Sequence, residues 1–527
     1  METDERRLLW HSVDYWAERR PEAEALILDD TRLTWREFKE QVDRLAKAFL
    51  ELGVRKGDRI ALISMGRPEF MITWMAASKV GAVWLGMSPK FTTDEMRFLL
   101  QHSQPTILIT LREYMGIDLV ECGVTLRQEF PFIREILVIG QGREGFTEYQ
   151  SFVDRPRPEW DAPLEQRAAE VREEDETLLM YTSGSTGKPK GVLHTHRSVM
   201  CSAAVEGKYV EWTPESRVLL HFPINHVAAD VEMGYSGVYA GSTIVFMDRF
   251  LPHGSLEMIE KERITHLGQV PAMYLMQMRT SRFAETDWSS MRALVWGAYA
   301  APERVVQALN AVAQKCGARL MTGYGSTEVC GFTTFAMPGD SLDLLTKSAG
   351  KILPPYEMKI VDEQRRQVPV GEVGEIAFRG PVIMKEYLNN PAATAEVIDP
   401  EGWFYTSDLG WVNGDGYLFV CGRRSEMYKT GGENVFPREI EEVIEGHPAV
   451  LFAAVVGVSD ALYGEVGHAF IMLKPGAEAQ EKELRTYCRQ HLVSFKVPKR
   501  FDFRPELPLL ANGKVNKVAL RRLLVSP

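Results

Sequence analysis

Residues 181 to 191 read Tyr181-Thr182-Ser183-Gly184-Ser185-Thr186-Gly187-Lys188-Pro189-Lys190-Gly191, directly after the apolar run Thr177-Leu178-Leu179-Met180 and ahead of a helix-like stretch from Arg197 to Val205. This is the pattern of a strand that opens into a phosphate loop. Gly184, Gly187 and Gly191 permit left-handed or closely approached backbone, so several N–H groups can converge on one anion. Thr182, Ser183, Ser185 and Thr186 add hydroxyls, and Lys188 and Lys190 add charge. The competing reading is a flexible Ser/Gly linker, although linkers rarely follow a buried strand or alternate hydroxyls, glycines and lysines in this way. Spacing excludes a Walker loop, which needs a glycine five positions before its Gly-Lys pair and a Ser or Thr after the lysine. Those positions hold Thr182 and Pro189.

Working outward, short apolar runs alternate with helix-spaced segments. Ala25–Leu28, Arg59–Ile63, Thr106–Ile109 and Ile136–Ile139 read as buried strands, and Trp35–Leu52, Glu69–Val80 and Thr93–Gln101 as helices. The rhythm resumes with strands at Val218–His221, Thr243–Met247, His266–Val270, Ala293–Trp296 and Leu320–Thr322. It predicts an α/β fold: a large N-terminal domain of stacked doubly wound sheets, with a β-rich subdomain near 350–420. After it come a helix at 437–445, strands at 451–458 and 468–473 and a helix at 481–492, which make a small α+β C-terminal domain. The expected division is 1–425 and 426–527.

A chain of 527 residues is too long for one ordinary core. A net charge of −11 argues against a nucleic-acid partner held by bulk electrostatics, so anionic ligands must be held by local groups. The six cysteines include no close pair, which suggests neither a zinc site nor a disulfide framework and fits a reducing, cytoplasmic location. The amino terminus is too acidic for a secretory signal. The apolar stretch from Phe70 to Met87 is interrupted by Lys79 and reads as a buried helix, not a transmembrane segment. There is no coiled-coil heptad run, and a homodimer is left open.

Further polar segments follow in order. Gly323-Tyr324-Gly325-Ser326-Thr327-Glu328 sits at a strand terminus, where open sheets place ligands, and offers an aromatic, hydroxyls and a carboxylate able to hold Mg²⁺. Taken alone it reads as a polar turn with a buried Tyr. Trp296-Gly297-Ala298-Tyr299-Ala300-Ala301-Pro302 is a turn of small residues interrupted by Tyr299. In Tyr405–Gly410 and Gly422–Asn434, Asp408 can accept both hydroxyls of a ribose and Arg423 can donate to the same sugar. Asn512-Gly513-Lys514 is by itself a turn with an exposed lysine.

Together these segments resemble the ordered motifs of the adenylate-forming superfamily, which contains AMP-forming acyl-CoA synthetases, peptide-synthetase adenylation domains and firefly luciferase. The resemblance spans nearly the whole chain. It implies that the loop from Thr182 to Lys188 holds the ATP phosphates, and that Thr182 and Glu328 serve Mg²⁺. Gly297, Ala298, Tyr299, Tyr324, Gly325, Ser326 and Thr327 would surround AMP, and Asp408 and Arg423 would hold its ribose. Ser407 stands where that family more often has Gly, and Tyr299 where it has a small residue. Glu426 falls at the hinge position, so the C-terminal domain would be a mobile cap. Lys514 would be the adenylation lysine, bridging carboxylate and α-phosphate, and Lys429 with Gly431 and Gly432 would serve the second step.

The implied function is ATP-dependent acyl-CoA synthesis: a carboxylic acid becomes acyl-AMP with loss of pyrophosphate, and coenzyme A then takes the acyl group. Alternatives are a ligase that loads a carrier-protein pantetheine, a luciferase-like oxidation and a non-catalytic nucleotide-binding protein. His221-Phe222-Pro223-Ile224-Asn225-His226 lies where acyl-CoA synthetases carry an aromatic or His gate, which makes His226 a gate candidate against a satisfied core histidine. The segments 227–233, 270–273 and 329–334 are expected to line or flank the acyl pocket and are mostly apolar, favouring a fatty, alicyclic or aromatic acid. Asp230 and Glu232 are out of keeping there. They either face away or recognise a polar group on the substrate.

Overall fold

Runs such as Ile107–Leu111, buried along their whole length, have no polar face to show to water and must lie inside a sheet covered on both sides. Two such sheets form the larger part of the molecule, whose computed structural model describes residues 6–140, 146–182, 189–508 and 515–525. One sheet has the strand order Arg319–Thr322, Ala293–Trp296, His266–Gln269, Arg217–Leu220, Thr243–Phe246, Glu24–Leu28, Thr31–Thr34. Its pairings are parallel except the last. The other runs Glu386–Tyr387, Lys190–Thr195, Glu176–Thr182, Val83–Met87, Arg59–Ile63, Ile107–Leu111, Glu135–Ile139, Thr147–Glu148. It is parallel apart from the first two pairings.

The stretch from Phe70 to Met87 is not one helix. It divides into helix Pro68–Lys79 and strand Val83–Met87, because Gly81 takes φ +72° and breaks the helical path. The helix is mostly apolar and lies buried against Trp84 and Tyr235, with Lys79 paired to Asp43 at its end. A Cβ on Gly86 would lie 1.8 Å from the carbonyl oxygen of Ile224, so this strand lies directly against the backbone that leaves the other sheet. The first long helix, Trp35–Glu51, begins with the expected capping box. The Glu37 N–H donates to Thr34 Oγ1 at 3.2 Å and the Thr34 N–H to Glu37 Oε2 at 2.8 Å.

The opening stretch does not run from a strand through a loop straight into a helix. Strand Glu176–Thr182 pairs antiparallel with strand Lys190–Thr195, setting Tyr181 opposite Gly191 and Thr182 opposite Lys190. The loop therefore closes a hairpin, and helix His196–Val210 starts only after the returning strand.

The β-rich region is a four-stranded antiparallel sheet of Glu357–Val361, Gly374–Arg379, Phe404–Val412 and Leu418–Arg423. The chain leaves it at Arg423 and enters the last sheet at Tyr428. That sheet is built on the long hairpin Val450–Asp460/Gly464–Leu473, with Tyr428–Thr430, Glu433–Val435 and Arg500–Phe503 at its edges. Helices Pro437–Glu445 and Glu481–His491 enclose a core of Tyr428, Val435, Ile440, Val455, Ile471 and Leu484. No helix among the described residues is long and apolar enough to cross a membrane.

Candidate active site

The carboxyl ends of the parallel strands are where backbone N–H groups and turn side chains stand free for a ligand. Strand Arg319–Thr322 ends there in Gly323, and an added Cβ would lie 2.0 Å from Thr334 O. At Gly325 it would lie 2.1 Å from Gly331 O, so glycine alone lets the 323–326 turn lie against the returning chain. The turn directs Tyr324 at the β-rich sheet. Its ring stacks on Phe378 at 5.5 Å, its hydroxyl donates to Asp408 Oδ2, and its N–H donates to Thr334 Oγ1 at 2.9 Å. Asp408 and Arg423 are cross-strand partners, with Arg423 Nε 3.5 Å from Asp408 Oδ1. Ser407 has φ +63°, a left-handed conformation, and its N–H donates to Glu375 Oε1 at 2.8 Å. That geometry explains why glycine suits the position and how serine still presents Asp408.

Edge strand Glu386–Tyr387 joins the 176–195 hairpin to the 323–328 turn. The Tyr387 hydroxyl donates to Glu328 Oε1 at 3.1 Å, and the Lys190 ammonium lies 4.7 Å from the centre of the Tyr387 ring. His194, on the returning strand, bonds through Nε2 to Thr327 O at 2.7 Å. Burial pushes its pKa down to about 4, so the ring is neutral and donates from Nε2. Neither Tyr387 nor His194 stood out in the sequence, since each is a lone residue on a short strand. Tyr181 turns away, its hydroxyl 2.8 Å from His102 Nδ1. Thr182 marks the last described residue before the loop. Ser183, Gly184, Ser185, Thr186, Gly187, Lys188 and Lys514 lie outside the described residues.

In the 296–302 turn, Gly297 is half-buried and Ala298 takes φ +74°. The Tyr299 hydroxyl accepts the Ala272 N–H at 2.9 Å at the start of helix Pro271–Met278, and burial pushes its pKa up to about 12. The Tyr299 side chain thus reaches the 270–273 segment through its hydroxyl. His226 Nδ1 accepts the Ala228 N–H at 3.1 Å and opens a π-helix, Ala228–Tyr235. Lys429, Gly431 and Gly432 are exposed, and a Cβ on Gly432 would meet nothing within 4 Å. Glu426 is tied to Lys517 at 2.7 Å, and Lys517 reaches Glu441 at 2.8 Å. The two halves of the molecule meet beside the nucleotide motifs, where Arg438 donates to Ala300 O at 3.3 Å and Arg304 to Leu451 O at 3.5 Å.

Residues 13–388 match the model of the AMP-binding enzyme family, and residues 439–514 match that of the AMP-binding enzyme C-terminal domain. The chain belongs to the AMP-binding enzyme family. This AMP-binding enzyme is 30% identical over 497 residues to a crotonobetaine/carnitine–CoA ligase of Salmonella paratyphi B, covering 93% of each chain. It is 32% identical over 517 residues to the 3-[(3aS,4S,7aS)-7a-methyl-1,5-dioxo-octahydro-1H-inden-4-yl]propanoyl:CoA ligase of Mycobacterium tuberculosis, covering 97% of this chain and 98% of that one. The anthranilate CoA ligase AuaEII, solved in complex with anthranoyl-AMP, superimposes with a TM-score of 0.88 at 26% identity, covering 98% and 97% of the two chains.

Behind the 323–328 turn, this AMP-binding enzyme buries carboxyl groups that the sequence only half revealed. Asp230 is fully buried on the π-helix. Glu206 comes from helix His196–Val210, where it shares the inward stripe of Val199, Ala203 and Val210 at helical spacing. The Phe332 N–H donates to Glu206 Oε1 at 3.0 Å. Burial and the neighbouring Glu232 raise the Glu206 pKa well above the usual carboxylate range, and burial does the same for Asp230. A lone acidic residue on an otherwise apolar helix stripe was the signal available for Glu206.

Proposed function

We propose that this AMP-binding enzyme is an ATP-dependent carboxylate–CoA ligase that forms acyl-AMP and pyrophosphate and then passes the acyl group to coenzyme A. The observation that carries this reading is the convergence at one edge of Tyr324 and its partner Asp408, Arg423 beside it, and Glu328 with Tyr387 and Lys190 at the foot of the hairpin. In this reading Asp408 and Arg423 hold the ribose, while Tyr324, Gly325, Ser326, Thr327, Gly297, Ala298 and Tyr299 surround AMP. The hairpin loop binds the phosphates. The Glu328 carboxylate and Thr182 hydroxyl are hard oxygen donors suited to Mg²⁺, which would supply charge neutralisation at the phosphates.

Lys514 bridges the attacking carboxylate and α-phosphate, stabilising charge that develops in the transition state. The cap then turns about Glu426 and brings the exposed Lys429, Gly431 and Gly432 to the acyl adenylate. The acid is fatty, alicyclic or aromatic, supported by the buried side chains of Val227, Ala228, Val231 and Met233 beside His226. The six cysteines are all free, which supports a cytoplasmic location.

The test is carboxylate-dependent pyrophosphate release from MgATP across short, long, alicyclic and aromatic acids, with and without CoA. Multiple turnover only with CoA is the expected result. A single turnover with CoA present selects a carrier-protein acceptor instead, and no release with any acid refutes the ligase reading. Lys514→Ala is expected to lower kcat for pyrophosphate release by at least about 100-fold with ATP affinity largely kept. Unchanged release refutes that role.

A further inference from the structure

Three carboxyl groups gather around the short turn Cys330-Gly331, two residues beyond Glu328. A Cβ on Gly331 would lie 2.5 Å from Glu206 Oε1 and 3.3 Å from Glu232 Cγ, and Asp230 is an electrostatic neighbour of Cys330. The two fully buried members differ in how they are satisfied. Glu206 receives the Phe332 N–H at 3.0 Å and the hydroxyls of Ser202 and Ser236 at 3.4 and 3.5 Å. Asp230 is 0% exposed, and neither of its oxygens has a hydrogen-bond partner among the described residues. A buried carboxyl with both oxygens unmatched is costly, and folds rarely retain one without a use.

Its position connects it to substrate. Asp230 sits four residues after His226, on the π-helix whose apolar neighbours form the wall assigned above to the acid. One extra residue per turn in a π-helix re-aims side chains relative to an α-helix, a device found often at functional sites. Strand His266–Gln269 abuts the same π-helix, since a Cβ on Gly268 would lie 2.6 Å from Met233 Sδ. At that strand's carboxyl end Gln269 is also buried, with both amide atoms lacking partners among the described residues. Orphaned acceptors and an amide at the end of an apolar wall match a ligand that carries a hydrogen-bond donor.

We infer that Asp230 is a specificity residue that accepts a hydrogen bond from a hydroxyl or amino group carried by the acid, remote from its carboxylate. The substrate is then a functionalised fatty, alicyclic or aromatic acid, not a plain hydrocarbon one. This inference rests on the ligase reading and deepens it. A site built to bond a donor discriminates strongly against the analogue that lacks it, because the buried acceptor is left unpaired.

The test measures kcat/KM for pyrophosphate release by the full-length enzyme on pairs of acids of matched length and shape. Each pair comprises a hydrocarbon acid and its hydroxy or amino derivative, with the substituent moved along the skeleton. The expected result is a preference of at least about 100-fold for a derivative at one position. Asp230→Val is expected to bring that ratio within about tenfold of unity by improving the hydrocarbon acid and weakening the derivative. Asp230→Asn, which keeps an acceptor oxygen and nearly the same volume, is expected to retain the hydroxy-acid preference and guards against a Val variant that fails to fold. Thermal unfolding should show neither variant less stable than wild type. The inference is overturned if the wild type prefers hydrocarbon acids at every substituent position, or if Asp230→Val leaves the ratio unchanged. Pyrophosphate release with no acid at all would instead overturn the underlying ligase reading.

Discussion

Ser407 shows how one backbone angle can serve a site. Its left-handed φ turns the strand so that Asp408 meets both Tyr324 and Arg423, and a β-branched residue is strongly disfavoured in that region. Ser407→Val should destabilise the folded chain by about 1–3 kcal/mol in urea unfolding and raise the KM for ATP, whereas Ser407→Gly should leave both near wild type. His194 makes a second case, with a pH signature. Its pKa is about 4 in the folded chain and 6.5 when exposed, so the unfolded state takes up the proton first as pH falls. Stability is unaffected above pH 6.5, declines between 6.5 and 4, and is lower by about 3 kcal/mol below that window. His194→Gln should flatten that part of the stability–pH curve, and an unchanged slope refutes the assignment. Asp408, Arg423, Tyr324 and Glu328 were legible as residue types in order. His194, Tyr387 and Glu206 were not, because their partners lie far away in sequence.

At the level of elements, strand Val83–Met87 was hidden in an apolar stretch that periodicity could not divide, since a buried helix and a buried strand look alike when every position is apolar. The hairpin Glu176–Thr182/Lys190–Thr195 was half legible: its first strand stood out, while the return strand carries His194 and Lys190 and does not look buried. Gly86 lies hard against the chain leaving the other large sheet, where an added methyl group would collide with the Ile224 carbonyl, which cannot rotate away. Gly86→Ala should therefore cost about 3 kcal/mol or more, or prevent folding, as read by thermal unfolding and soluble yield. By contrast Gly207→Ala, on helix His196–Val210 with nothing within 4 Å, should be neutral or stabilising. Equal losses for the two would remove the packing explanation.

Across the whole molecule, Lys517 links three parts: the segment after Lys514, Glu426 where the chain crosses between sheets, and Glu441 on helix Pro437–Glu445. Its side chain is 17% exposed, and loss of its charge leaves a buried Glu441 facing Glu426. Lys517→Met should destabilise the C-terminal domain by on the order of 2 kcal/mol and expose helix Lys517–Val525 to protease, with slower single-turnover adenylation. Wild-type protease resistance and rate would show that the link does not hold the segment in place.

The sequence alone determined the α/β class, the order of the nucleotide motifs and the residue types able to bind phosphate, ribose and metal, because those depend on local spacing, hydrophobic period and turn chemistry. Only the tertiary structure decided that Tyr387 reaches Glu328, that the Tyr299 hydroxyl reaches Ala272, and that Asp230 is buried with unmatched oxygens. Burial and hydrogen-bond satisfaction are properties of which distant segments meet, and neither can be read from the spacing of residues along one strand or helix.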